Sequence, residues 1–122
     1  MYSNFAIFSL VEIISKVPQT NEVRIEIRIL ELVHRYIQEK LRDSEQGKLQ
    51  AHVDAMRSGD FESVNIKKLR GKIYELIFGN HRFTYFQSER KLYFVRGFRK
   101  RSNKTPRKEI EYAEKIYRTL DK

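Results

Sequence analysis

The residues of this chain best suited to chemistry are cations. Arg82 opens onto the aromatic run Phe83-Thr84-Tyr85-Phe86, and Lys100, Arg101 and Lys104 cluster further along. A guanidinium offers a planar fork that bonds two phosphate oxygens at once and stays charged. A lysine serves as base or acid only when its pKa is lowered, which a dense set of neighbouring cations does. These types suit cleavage of an RNA phosphodiester without a metal. The ribose 2′-OH attacks, cations hold the charge growing on phosphorus, and an acid protonates the leaving 5′-oxygen. The products of that route are a 2′,3′-cyclic phosphate and a 5′-hydroxyl.

Arg82 is the leading candidate, because a charge amid aromatics is costly unless it faces a cleft or a partner. Its alternatives are an arginine on an exposed sheet face or one paired to Glu75. For Lys100, Arg101 and Lys104 the alternative is ordinary solvated charge. Lys67 and Lys68 read as grips on a nucleic-acid backbone or as part of a solvated loop. Arg96 and Arg99 can bind phosphate, and Tyr74 and Phe98 either stack on bases or fill the core. His81 has the right ordinary pKa for a general base, but strand parity puts it on the face opposite Arg82. If Arg82 faces a cleft, His81 faces the helices. His34 and His52 lie outside the basic segment and read as structural.

Residues 66–108 hold fourteen Lys or Arg against Glu75 and Glu89, a net charge of +12, whereas residues 1–65 sum to −2 and residues 109–122 to −1. Aromatics from Tyr74 to Phe98 interleave with these cations. Such a surface suits a polyanion that also presents stackable bases, and so points to nucleic acid, RNA in particular. The 122 residues fit one domain with a modest core. The absence of cysteine excludes a disulfide scaffold and thiol chemistry and is compatible with a cytoplasmic location. Three histidines without ligand spacing and without cysteine partners argue against a structural zinc site. The longest apolar stretch, Phe5 to Ile14, is interrupted by Ser9 and Glu12; neither a membrane span nor a signal peptide is expected.

The elements that must carry these residues follow an α+β order. Asn4 to Val17 is ambiguous between strand and helix, and Pro18 to Asn21 breaks the chain, with Thr20 or Asn21 as a cap and Glu22 in the first turn. Val23, Ile27, Leu30, His34, Ile37 and Leu41 keep a helical period that predicts a helix over 23–41. A rival strand reading rests on Val23, Ile25, Ile27 and Ile29 alternating with charges. This stretch is apolar on more than one side, as a core helix or a docking face would be. Gly47 loosens the next junction, a shorter helix spans 48–57, and Ser58-Gly59-Asp60 ends it. Strands follow over 72–78, 81–87 and 91–98, joined at Gly79-Asn80 and Ser88-Glu89-Arg90. Thr105 as N-cap and Pro106 at the first position start a last helix with Ile110, Ala113, Tyr117 and Leu120 on its buried stripe, Tyr112 and Ile116 beside it. The domain therefore divides into a mainly helical 1–65, a sheet and basic cleft over 66–104, and a C-terminal helix over 105–122.

Three stretches then resemble a known family. Lys67-Lys68-Leu69-Arg70-Gly71-Lys72-Ile73-Tyr74-Glu75-Leu76 is similar to the "KKLxGxxxEL" approach to the sheet of HigB-like toxins, the phage-derived branch of the RelE/ParE superfamily. Asn80 to Phe86 resembles their "NxYRxxYF" strand, and Phe94 to Arg101 with Lys104-Thr105-Pro106 and Glu109-Ile110 resembles their "HGFxKKxxKTPxxEI" finish. Ile77 stands where the family often has arginine, Arg96 stands where it has histidine, and residues 1–65 are longer and more helical than usual.

The resemblance implies a RelE-like fold, with N-terminal helices packed on a small, mainly antiparallel twisted sheet and a C-terminal helix. It implies a toxin of a type II toxin-antitoxin system, an endoribonuclease that cuts mRNA on the ribosome without metal or cofactor. The implied partners are mRNA, the ribosome and an antitoxin with a helix-turn-helix fold. Arg82, Lys100, Arg101 and Lys104 are then the catalytic candidates, and Lys67, Lys68, Tyr74, Arg96, Phe98 and Arg99 the RNA-binding ones. The alternatives are a ParE-like toxin that inhibits DNA gyrase without nuclease chemistry and an inactive homologue that binds nucleic acid or antitoxin only.

Overall fold

The computed structural model describes residues 24–120. The expectations for Asn4–Val17, for the break at 18–21 with its caps, and for the run Phe5–Ile14 lie outside the described residues, as does Val23. Strand β1 (Glu26–Ile29) leads into helix α1 (Glu31–Lys40) and helix α2 (Asp43–Arg57), with a short 3-10 turn at Phe61–Ser63. Strands β2 (Ile66–Arg70), β3 (Ile73–Phe78), β4 (His81–Ser88) and β5 (Lys91–Arg99) follow, and helix α3 (Arg107–Leu120) closes the order. The strands form one five-stranded sheet in the order β1-β5-β4-β3-β2. Only the β1–β5 pairing is parallel; β2 to β5 are an antiparallel meander. The α+β architecture with a mainly antiparallel sheet is as expected.

The helix expected over 23–41 is a strand and a helix. Ile25 and Ile27 are 6% and 5% exposed while Glu26 and Arg28 face solvent, the period of two that the rival reading used. Pairing of Ile27 with Leu92 and Ile29 with Phe94 holds β1 in place. Leu30 is extended (φ −75°, ψ 161°), so the apparent helical step from Ile27 through Leu30 is coincidence. Helix α1 then buries Val33 and Ile37, not His34.

Helix α2 starts at Asp43 and runs through Gly47, five residues ahead of the expected start at 48. Its first turn is fixed by the Glu45 carboxylate, which accepts a 2.8 Å bond from the Arg42 N–H. The buried Gln46 amide donates to the carbonyls of Ile37 (3.3 Å) and Leu41 (3.2 Å), tying α1 to α2. Gly59, at φ +84°, ends the helix in the left-handed conformation that a Cβ disfavours.

Strand β2 was not expected, because three of its five residues, Lys67, Lys68 and Arg70, are charged. It is the outer strand of the meander, where charge discourages further strand pairing, and its register shifts between Lys68 and Arg70. Strands β3, β4 and β5 lie within a residue of their expected bounds.

The sheet has two covered faces. Leu76, Phe83, Tyr85, Leu92 and Phe94 pack under α1 and α2, and Ile73, Phe86 and Val95 meet Ala113 of α3. The last helix begins at Arg107, and the Thr105 hydroxyl bonds Glu75 instead of capping it. Its inner stripe is Glu109, Tyr112, Ala113, Ile116 and Tyr117, whereas Ile110 is only half-buried and Leu120 is 42% exposed. Among the described residues no helix is long and apolar enough to cross a membrane.

Candidate functional site

The α3 face of the sheet extends beyond the helix start, and there it presents polar side chains. Register sets Ile77 of β3, Arg82 of β4 and Phe98 of β5 side by side, and Lys67 of β2 beside Glu75. The loop from Lys100 to Pro106 arches over this row and closes a cleft of about 80 Å³. Its start is held to the β3–β4 turn by the Lys100 N–H, which donates to the Asn80 carbonyl at 2.7 Å. Its end is held by the Thr105 hydroxyl, which donates to Glu75 Oε1 at 2.6 Å.

Glu75 is 2% exposed and its side chain forms part of the cleft lining. Arg82 lies over it, with Nε 3.8 Å from Glu75 Oε2 and the side chain 12% exposed. Arg82 Nη1 donates to the carbonyls of Gly79 (2.8 Å) and His81 (3.0 Å). Among the described contacts Nη2 has none. The two sequence readings of Arg82, cleft-facing or paired to Glu75, are therefore both present. Lys67, Lys100, Arg101 and Lys104 surround it as cleft walls. A phosphate there would meet several cations on a rigid floor, which is what stabilising a charged transition state requires.

The sequence from α1 to α3 has been met before: residues 37–118 match the model of the family described as Phage derived protein Gp49-like (DUF891). The chain belongs to that family. Among solved structures, a chain of the toxin-antitoxin complex RelBE2 from Mycobacterium tuberculosis is similar at 18% identity, covering 67% of this chain and 98% of that one with a TM-score of 0.44. No curated protein sequence matches.

In this Gp49-like chain the structure gathers only part of the sequence-derived set. Arg82, Lys100, Arg101, Lys104, Lys67 and Phe98 line one cleft. Lys68 pairs in register with Tyr74, on the face opposite Lys67 and Glu75. Tyr74 stacks on Tyr85 (5.7 Å, 23°) over the α1/α2 side, so it is not a neighbour of Arg82. Arg96 is engaged under α3: its Nε lies 3.4 Å from Glu109 and its guanidinium 5.2 Å above the Tyr112 ring. Arg99 lines a second depression on the other side of Phe98. Sequence reasoning offered Glu75 as a partner of Arg82 but missed its hold on the basic loop through Thr105. A lone acid at mid-strand inside the basic segment was the available signal.

That second depression, about 600 Å³, runs along β5 beyond the end of β1. Tyr36 of α1 lies on Gly97: a Cβ there would meet Tyr36 Cδ2 at 2.8 Å and Phe83 Cε1 at 3.0 Å. Gly97→Ala is expected to destabilise the fold by about 1–3 kcal/mol, the range for overpacking. A denaturation midpoint equal to the parent's would show that the contact does not constrain the strand.

His81 faces the helices, as parity required. It is 3% exposed, its Nδ1 is 2.8 Å from the Tyr36 hydroxyl, and its Nε2 is 3.6 Å from Glu45. Burial holds its pKa below the usual value; Glu45 opposes this and Arg99 adds to it. The Glu45 carboxyl is also lowered, first by the Arg42 N–H. A depressed imidazole pKa means that, as pH falls below about 6.5, the unfolded chain takes up a proton that the native chain refuses. Stability is therefore lost on acidification from about 6.5 downward. Thermal melts at pH 7.5 and 5.5 should show the loss, and it should shrink in His81→Gln; an equal loss in that variant would exclude His81 as its source. Among the described residues no cluster of His, Asp and Glu is arranged to hold a metal ion.

Proposed function

We propose that this protein is the toxin of a type II toxin-antitoxin system, a single-domain HigB-like member of the RelE/ParE superfamily. It cleaves mRNA on the ribosome, in the cytoplasm, by 2′-OH attack and without metal or cofactor. The observation that carries the reading is the Arg82 guanidinium, anchored on buried Glu75 and roofed by the cationic Lys100–Lys104 loop. Membership of the Gp49-like family and the motif resemblance over residues 67–116 support it. In this reading Arg82 holds the scissile phosphate, Lys100, Arg101 and Lys104 supply charge, and the two lysines move protons. Lys67 grips the RNA backbone and Phe98 offers a face for a base. A helix-turn-helix antitoxin silences the protein.

The test uses purified protein, translating ribosomes and a defined mRNA, with EDTA present. The expected fragments end in a 2′,3′-cyclic phosphate and begin with a 5′-hydroxyl. Intact mRNA together with inhibited gyrase supercoiling would overturn the reading in favour of a ParE-like toxin.

A further inference from the structure

The cleft of about 80 Å³ is large enough for a phosphate group but not for a nucleoside, so a polynucleotide entering it must leave its flanking nucleotides elsewhere. The depression beside it has the missing capacity. Its volume of about 600 Å³ falls in the range of sites that hold whole ligands. The two hollows share Phe98, Arg101 and Pro106 as a common wall, so one extended strand can pass from one to the other. The far walls carry Lys40 at the end of α1, Arg99 at the end of β5, and Lys108 in the first turn of α3, and all three are exposed. Their one acidic companion, Glu109, is 5% exposed and already faces Arg96.

We propose that this groove is a second RNA subsite, which binds the nucleotides flanking the scissile phosphate. The inference rests on the nuclease reading of the adjacent cleft. Lys40, Arg99 and Lys108 neutralise the backbone, and the shared Phe98 gives a base a stacking face. The floor is rigid, because the Tyr36 ring seats on Gly97 and its hydroxyl is bonded to buried His81. The far wall draws on α1, which lies outside the basic segment in sequence. Charge favours a polynucleotide over a strand-forming peptide at this edge of β5.

The test measures binding of 2′-O-methyl RNA probes, which cannot be cleaved, to the full chain and to a Lys40→Ala/Lys108→Ala variant. Both side chains are exposed, so the fold is retained. Affinity for a probe of about six nucleotides should fall about tenfold, and its logarithmic salt slope should flatten by about 1.4, the value for two lost contacts to a single strand. Binding of a dinucleotide, whose one phosphate needs only the cleft, should not change. Unchanged affinity and slope for the longer probe would overturn the groove, whatever the cleavage assay shows. Retained RNA binding with loss of a protein partner would also overturn it and assign the surface to protein. A groove-dependent salt slope in a protein that cleaves no RNA would keep the groove as an RNA-binding surface but overturn both the nuclease reading and the groove's place beside a scissile phosphate.

Discussion

Arg82→Ala is expected to reduce RNA cleavage by about 10²–10³-fold, the loss typical of removing one preorganised donor from a charged transition state. Two carbonyls and the Glu75 carboxylate fix the guanidinium in the cleft lining, so it is set before substrate arrives. Arg82→Lys keeps the charge but loses the fork and the carbonyl contacts, and should recover only a small part of the activity. Both variants belong in a single-turnover assay on the same RNA, with circular dichroism as the fold control. Cleavage by Arg82→Ala at the parental rate would remove this residue from the mechanism.

Glu75→Ala should have the largest effect on stability among the cleft residues, about 3 kcal/mol. Removing one partner of a buried ionic pair leaves the other uncompensated. Here two groups lose their partner, the Arg82 guanidinium and the Thr105 hydroxyl. The second contact ties the basic loop to the sheet, so the variant should also expose that loop to proteases before global unfolding begins. Thr105→Val removes the tie alone. It should reproduce the early nicking with a much smaller loss in the denaturation midpoint, and a loop as resistant as the parent's would show that the bond does not hold it.

How far the sequence revealed this arrangement depended on the range of the contacts. Strands β3 to β5 were legible because aromatic runs and short turns are local signals, and the opposition of His81 and Arg82 needed only the two-residue period of β4. Strand β1 was not legible. Its partner Lys91–Phe94 lies 65 residues further along the chain (Glu26 pairs with Lys91), and Ile25 to Leu30 fits both periods until that partner is known. Strand β2 was hidden by its lysines, whose charge suits an outer strand but reads as a loop.

The cleft residues divide in the same way. Arg82 and the Lys100–Lys104 group were found from type and spacing. Lys68 falls on the face opposite Arg82 because the register of β2 decides which lysine shares a face with Glu75, and Tyr74 takes the core alternative, stacked on Tyr85. Arg96 shares a face with Arg82 and Phe98, but the approach of Glu109 and Tyr112 from α3 takes it up. No local pattern contains that approach. Lys40 and Tyr36 were missed for the same reason: they reach the groove only through the packing of α1 on β5.

The central claim is that the cleft around Arg82 cuts translated RNA. Its most direct test is to induce the gene alone in bacteria and map new RNA 5′ ends across the transcriptome, with Arg82→Ala induced in parallel. The account predicts new ends inside translated codons for the parent and none for the variant. Growth arrest by the parent without new ends, or the same ends from both proteins, would contradict it.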